Sequence, residues 1–238
     1  MSGDTAFLVD TPPEMRLACV ECGVKKVDAV LLTHAHMDHV AGFDDVRRFN
    51  TLNGTKVPCP PDDPRYRGLP FRIEGKPLTC YALPETIATM RQIFPYISSK
   101  GGENGLFRPQ IEFQDNTTPF RLGDLAVEAL RVGHGFPCCG YLFRAASGVR
   151  LAYVSDCHDL PEEALARLRG VDVMILNCLR VREHPTHLSL ARTLGYLEEI
   201  APKKAYLIHM CHDFSHRQWE EMLPAHVRPA YDGLTLEM

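Results

Sequence analysis

The stretch Leu31-Leu32-Thr33-His34-Ala35-His36-Met37-Asp38-His39 decides how the chain is interpreted. Its apolar first part continues from Val27 and predicts a buried β-strand over residues 27–33. Four potential metal ligands then follow within six residues: His34, His36, Asp38 and His39. Imidazole and carboxylate together suit zinc, manganese or iron(II). One tetrahedral ion cannot use all four and keep an open position, so the spacing favours two ions side by side.

Three further candidate ligands lie at the ends of predicted strands. They are His134, Asp156 and His209. The strands are predicted over residues 125–132, 150–155 and 204–209 because each is a short run rich in apolar and β-branched side chains. Ligands at strand ends are held firmly, and several strand ends can converge at one edge of a sheet.

The pattern His34-x-His36-x-Asp38-His39, taken with the three later ligands, resembles the signature of the metallo-β-lactamase superfamily. The resemblance spans residues 5–238 and implies a mixed α/β fold, the four-layer αββα sandwich of that family. It also implies a ligand set for two ions bridged by a hydroxide. The first ion takes His34, His36 and His134. The second takes Asp38, His39 and His209, and Asp156 bridges both.

Two features narrow the resemblance to one branch of the superfamily. Aspartate rather than cysteine at position 156 fits its phosphodiesterase, nuclease and thioester-hydrolase members. The segments 176–178, 184–189, 209–213 and 231–233 resemble the phosphoribosyl cyclic-phosphate phosphodiesterases, with tRNase Z as a more distant relative. In that branch an additional histidine acts on the leaving group or the substrate phosphate, and His187 matches it.

A physical argument for His187 stands beside the resemblance. The sequence predicts a helix over residues 186–200, and a helix N-terminus favours an anion. A protonated imidazole there could stabilise a phosphorane-like transition state or give a proton to a departing alkoxide. Two alternatives stay open: a capping or surface role for His187, and His184 as the acting histidine.

Other polar residues are expected to support the centre. By resemblance, Asp10 holds a metal-binding histidine in place, as carboxylates outside the ligand set often do. His212 either supports a ligand or faces the substrate. The expected catalytic residues are His187 and the two metal-binding carboxylates, Asp38 and Asp156.

Length and composition bound the function classes. The chain has 238 residues, which predicts a single domain over 1–238, with a lid-like irregular segment at about 55–120. A net charge of −4 argues against an extended nucleic-acid surface. No apolar run is long enough for a membrane span, and the N-terminus does not resemble a secretion signal. Nine cysteines in such a chain predict reduced thiols and a cytoplasmic location.

The sequence therefore predicts a dinuclear metal-dependent phosphodiesterase that uses zinc or manganese, with iron as an alternative. Its expected partner is a small cyclic or nucleotide-like phosphodiester, and the family's tendency to dimerise leaves a homodimer open. Three other functions stay open. An RNA nuclease similar to tRNase Z would need a basic arm, and a thioester or lactone hydrolase would not need His187, because a thiolate leaves without a proton. A non-hydrolytic iron protein of cofactor biosynthesis would use the same ligand types.

Overall fold

The structure is a computed structural model that describes residues 5–97 and 109–237. These residues form two compact units. The first comprises residues 5–82, 87–97 and 109–114, and the second comprises residues 83–86 and 115–237. That residues 1–238 act as one domain stays a prediction.

The first unit is built on a four-stranded sheet in the order β1-β2-β5-β6. Its strands and helices are β1 (Phe7–Val9), α1 (Met15–Glu21), β2 (Ala29–Leu31), α2 (Met37–Val40), α3 (Arg47–Leu52), β3 (Thr55–Pro58), β4 (Phe71–Glu74), β5 (Leu78–Ala82), most of α4 (Pro84–Ile93) and β6 (Ile111–Asp115). Strand β2 pairs in parallel with β1 and with β5. All three residues of β2 are buried, which explains its uninterrupted apolar sequence. Its carboxyl end delivers the histidine-rich stretch.

The segment 55–120 differs from the irregular loops predicted for it. Around the helix α4, its described residues contain the strands β3 to β6 and the first residue of the strand β7 (Phe120–Leu122), whereas residues 98–108 lie outside the described part. Strands β3 and β4 form a separate antiparallel pair in which Pro58 lies opposite Phe71. Pro58 ends β3, Pro70 precedes β4, and Pro60, Pro61 and Pro64 lie in the connection between the two strands, where a missing backbone donor is tolerated. The prolines therefore limit the length of the strands but still allow them to form.

The second unit is built on a seven-stranded sheet in the order β13-β12-β11-β10-β9-β8-β7. After β7, its elements are β8 (Leu125–Val132), β9 (Cys138–Arg144), β10 (Arg150–Val154), α5 (Glu162–Leu168), β11 (Val173–Asn177), α6 (Leu190–Ile200), β12 (Lys204–Ile208), α7 (His216–Met222) and β13 (Val227–Pro229). Strands β7 to β10 pair antiparallel, whereas β10 to β13 pair in parallel. The carboxyl ends of β10, β11 and β12 therefore lie at the same edge of the sheet.

The core of the second unit contains apolar side chains from the sheet and from α5, α6 and α7. Among its most deeply buried members are Met174, Leu176, Leu207, Ile200 and Trp219. Burial of each such side chain contributes roughly 1.5–3 kcal/mol. The packed core therefore holds the sheet rigid and fixes the positions of the residues that follow its strand ends.

Helix length bears on the expected absence of a membrane span. The longest helix in the described ranges is α6, with 11 residues, whereas a bilayer span needs about 20. None of the helices in these ranges is both long and apolar enough to cross a membrane.

Candidate metal centre

In the first unit, four candidate ligands leave the end of β2 through a tight turn into α2. His36 is the N-terminal cap of α2, with an extended backbone, and the short helix carries Asp38 and His39. The Nε2 atom of His34 lies 2.9 Å from Nδ1 of His36, and Nε2 of His39 lies 3.5 Å from Oδ2 of Asp38. His34 and His39 are buried, whereas His36 and Asp38 are exposed. The turn thus brings imidazole and carboxylate atoms, the ligand types that suit zinc, manganese or iron, close together in pairs.

Asp10 organises this turn from the end of β1. One of its carboxylate oxygens accepts the backbone N–H of Thr33 at 2.8 Å. The other accepts the Thr33 hydroxyl at 2.8 Å and lies 2.7 Å from Nδ1 of His39. A carboxylate at Nδ1 keeps the proton there and leaves Nε2 of His39 with a lone pair, as a metal ligand needs.

The same carboxylate acts on His34 through Thr33. The Thr33 hydroxyl lies 3.0 Å from Nδ1 of His34. A hydroxyl has a single hydrogen to donate, and that of Thr33 is directed to Asp10, so Nδ1 of His34 must be the donor in this contact. Nε2 of His34 then also carries its lone pair, on the side that faces His36.

In the second unit, three candidate histidines surround one buried carboxylate. Asp156 is 2% exposed, and Nε2 of His134 lies 3.5 Å from its Oδ2 atom. Nε2 of His209 lies 3.4 Å from Oδ1, and Nδ1 of His187 lies 3.8 Å from Oδ2. A buried carboxylate is costly unless positive charge compensates it. Three imidazole nitrogens converging on it form a donor set that suits zinc, manganese or iron.

The backbone around these ligands determines their orientation. His134 and Asp156 each follow two residues after the end of a strand, β8 and β10, and His209 follows β12 directly. Nδ1 of His134 donates to the carbonyl of Thr186 at 2.9 Å, which leaves Nε2 for a metal. His209 has φ of 59°, a left-handed conformation that is strained for a side chain of this kind. Strain of this type is concentrated at functional sites.

His187 differs from its predicted placement. Helix α6 begins at Leu190 after the cap Ser189, so His187 precedes the helix, whereas residues 186–200 were expected to be helical. The helix starts later because Ser189 has an extended backbone and pairs with Arg180, and Leu190 donates its N–H to the Arg180 carbonyl at 2.9 Å. The His187 ring stacks on that of His209, with centroids 4.9 Å apart, and not on the first turn of the helix.

Burial of the His187 side chain determines its charge state. Its pKa falls to about 4, chiefly because burial disfavours the charged imidazolium. The Asp156 carboxylate opposes the shift, and three neighbouring rings reinforce it: His209, His134 and His184. At neutral pH the imidazole is therefore neutral until an anion binds beside it. The proton-donor role predicted for His187 thus requires a substrate phosphate that raises its pKa.

Asn177 contacts the residues around Asp156 and was not singled out from the sequence. It is fully buried at the end of β11, and its side-chain NH₂ donates to the carbonyl of Ser155 at 2.7 Å. The same nitrogen lies 3.4 Å from Nδ1 of His187, and its Oδ1 accepts the N–H of Leu188 at 2.9 Å. The sequence signal that could have identified it is a polar amide residue at the end of the apolar run 173–176. Asn177 thereby links the residue before Asp156 to His187.

The two remaining candidates are His184 and His212. The ring of His184 lies 5.2 Å from that of His187, and its Nδ1 accepts the N–H of Thr186 at 3.3 Å. His212 is exposed and belongs to none of the groups of three or more potential ligands found in the described ranges. Its predicted supporting or substrate-facing role therefore stays a prediction.

Comparisons with known proteins identify the family. The family model of the beta-lactamase superfamily domain matches residues 5–210. An octanoyltransferase of Porphyromonas gingivalis is 29% identical over 231 residues, which cover 96% of this chain. The chain spans only 41% of the length of that relative.

Solved structures give the same result. A diphosphatase of the PhnP family is 29% identical, has a TM-score of 0.78, and covers 99% of this chain and 81% of its own. Zn²⁺-bound PqqB of Methylobacterium extorquens is 18% identical with a TM-score of 0.66, and the match covers 100% of this chain and 86% of that protein. The sheets, helices and these matches confirm the predicted α/β fold class. The chain belongs to the metallo-β-lactamase superfamily of metal-dependent hydrolases, near its PhnP branch.

Proposed function

We propose that the chain is a dinuclear metal-dependent phosphodiesterase that acts on a small cyclic or nucleotide-like phosphodiester. One observation carries the proposal: the carboxylate of Asp156, which is 2% exposed, has imidazole nitrogens of three histidines within 3.4–3.8 Å. Divalent cations would compensate the charge of this buried carboxylate.

The ligand set is the one that the family resemblance implies. The proposed ligands are His34, His36, Asp38, His39, His134, Asp156 and His209. Their nitrogen and oxygen atoms fit zinc or manganese, and iron(II) is the alternative. Two such cations would supply a hydroxide nucleophile at neutral pH and compensate the charge of a phosphate group.

The chain's own residues have distinct roles in the proposed reaction. Asp10 and Thr33 hold the tautomers of His34 and His39, which directs their lone pairs to the metal site. Substrate phosphate beside His187 raises the pKa of that imidazole, which then carries a proton. His187 gives this proton to the leaving oxygen as the P–O bond breaks.

Phosphorus chemistry is favoured over the alternatives by two observations. The solved protein that is 29% identical over nearly the whole chain is described as a diphosphatase. His187 also lies beside the carboxylate of Asp156, where an acid is useful for an alkoxide leaving group and unnecessary for a thiolate. The net charge of −4 fits a small substrate better than RNA.

A second candidate is the hydrolysis of an acyl thioester. The relative from P. gingivalis is named an octanoyltransferase, and the chain matches 41% of its length. The same metal ligands could polarise a thioester carbonyl. In this reading His187 would be dispensable, which separates the two candidates experimentally.

The test is hydrolysis by protein of measured metal content. Bis(p-nitrophenyl) phosphate, p-nitrophenyl phosphate and an octanoyl thioester are offered in parallel. We expect turnover of the diester, its loss in His36→Ala, and unchanged turnover in His226→Ala, an exposed histidine used as the control. Thioester cleavage without diester cleavage would replace the proposal by the second candidate. Metal-loaded protein that cleaves neither would overturn both.

A further inference from the structure

Two proposed ligands of the second unit are joined by a short backbone ladder outside the regular strands. Gly133, directly before His134, donates its N–H to the carbonyl of Asp159 at 2.9 Å. The carbonyl of Gly133 accepts the N–H of His158 at 2.7 Å. Residues 158–159 follow closely after Asp156. The ladder therefore ties the loop that carries Asp156 to the strand end that carries His134.

The ladder leaves no room for a side chain at Gly133. A Cβ atom there would lie 3.1 Å from Cβ of Asp159 and 3.1 Å from Cε1 of His158. Such contacts would force the two segments apart by a few tenths of an ångström. The spacing of the segments is thus set by close approach of their backbones, which glycine permits.

Helix α6 holds the far side of this ladder through Tyr196. The Tyr196 hydroxyl donates to Oδ1 of Asp159 at 2.9 Å and accepts the N–H of Leu160 at 3.2 Å. Arg192, one helical turn earlier, places its guanidinium 3.8 Å from the same Oδ1 atom. A single phenol thus uses both its donor and its acceptor on consecutive residues of the loop.

The helix that carries Tyr196 is itself fixed in the core. Leu197 and Ile200 are buried, and the buried hydroxyl of Thr193 donates to the carbonyl of Asn177 at 2.9 Å. The position of Tyr196 is therefore fixed relative to the core. A displacement of the Asp156 loop relative to His134 would break at least one of its two hydrogen bonds.

We propose that Tyr196 is a positioning residue for the metal centre, which holds His134 and Asp156 at their spacing through Asp159 and the Gly133 ladder. This inference rests on the proposed function, because it requires both residues to bind metal. Residues outside the ligand set that orient ligands commonly change metal affinity by about 10–100-fold. A role confined to packing would leave metal affinity unchanged, because Tyr196→Phe keeps the ring.

The test measures Zn²⁺ and Mn²⁺ binding to metal-free protein by competition with a chromophoric chelator. We expect Tyr196→Phe to weaken binding by about 10-fold or more. Tyr206→Phe, on β12 and outside this network, is the matched control and should bind as the wild type does. Hydrogen exchange of the metal-free protein is a second readout, in which the Gly133 and Leu160 amides should exchange faster in Tyr196→Phe.

A double variant separates positioning from general destabilisation. Asp159→Ala should weaken metal binding, and the double variant Asp159→Ala/Tyr196→Phe should lose less affinity than the sum of the two single losses, because the Tyr196–Asp159 contact is already absent and only the hydrogen bond from the Leu160 N–H remains to be lost. Wild-type affinity in Tyr196→Phe, or fully additive losses in the double variant, would overturn the inference and leave the proposed function intact. A wild-type protein that binds neither ion would overturn the proposed function and this inference with it.

Discussion

The Oδ2 atom of Asp10 lies 2.7 Å from Nδ1 of His39, although 29 positions separate the two residues. Parallel pairing of β1 with β2 produces the contact, because Val9 lies opposite Leu31 and both strands end at the same edge. Asp10 has φ of 60°, a left-handed conformation that costs on the order of 1–3 kcal/mol. The hydrogen bonds of its carboxylate offset that cost and bind the two strand ends together.

Removal of the Asp10 charge tests its orienting role. Asn tolerates the left-handed conformation, so Asp10→Asn keeps the backbone while losing the carboxylate. We expect affinity for Zn²⁺ to fall by about 10–100-fold, because the tautomer of His39 is no longer held. Chelator competition measures it. Asp28→Asn, which alters a carboxylate that accepts the Ala6 N–H at 3.0 Å, is the control, and equal affinities in the two variants would refute the role.

Replacement of His187 tests its role as a proton donor. We expect His187→Ala to lower kcat by roughly 10²–10⁴ for diesters with alkyl leaving groups. The loss should be far smaller for p-nitrophenyl leaving groups, which depart without a proton. Rates across a leaving-group series measure this, with His216→Ala, at an exposed position of α7, as the control. A loss that is independent of the leaving group would assign His187 to binding.

Acidification should weaken the contact of Asp172 with Lys203 and Arg150, which lies where β10, β11 and β12 begin. The pKa of Asp172 is lowered because Lys203 donates to its carboxylate, as does the backbone N–H of Arg150. A lowered folded-state pKa adds stability above the unfolded value of about 3.9, and this stability is lost as the pH falls through the folded value. Asp172→Asn should therefore lower Tm at pH 7 and make a smaller difference near pH 3. Exposed Asp232→Asn should change Tm little at either pH.

Two glycine substitutions should change stability in opposite directions. A Cβ at Gly140 of β9 would lie 2.6 Å from Cγ2 of Val154 and 2.8 Å from the carbonyl oxygen of Tyr153, so Gly140→Ala should destabilise the fold by about 1–3 kcal/mol. A Cβ at Gly195 of α6 would meet no atom within 4 Å, so Gly195→Ala should stabilise by up to about 1 kcal/mol. Urea unfolding curves measure both. The same sign for both variants would contradict the packing described here.

Several features of the site were predictable from local sequence. The stretch from Leu31 to His39 showed both the buried strand and the ligand-bearing turn, because the apolar run and the polar cluster are adjacent in the chain. Strand β8 has the predicted bounds, and β10 and β12 each end one residue earlier than expected. Strands β3 and β4 were missed because each has only four residues and lies near several prolines, so the alternation of Phe71 and Ile73 with charged residues in β4 was too short to be recognised.

The start of α6 and the charge state of His187 were not predictable in the same way. The helix starts at Leu190 because the extended Ser189 pairs with Arg180, a residue nine positions earlier in the chain. The pKa of His187 depends on how deeply the side chain is buried and on which rings surround it. From residue type alone, His187 is expected to have a pKa of about 6.5. Burial in the folded chain lowers that pKa to about 4.

By itself, the sequence determined the superfamily, the types of the candidate metal ligands and the strand ends that carry them, because residue identity and hydrophobic periodicity indicate each of these. Only the tertiary structure decided which groups orient the ligands. The Thr186 carbonyl at His134 and the Asp159 carbonyl at Gly133 are backbone atoms, which every residue type offers alike. Their partners are chosen by long-range strand pairing and packing, and such choices leave no local pattern in the chain.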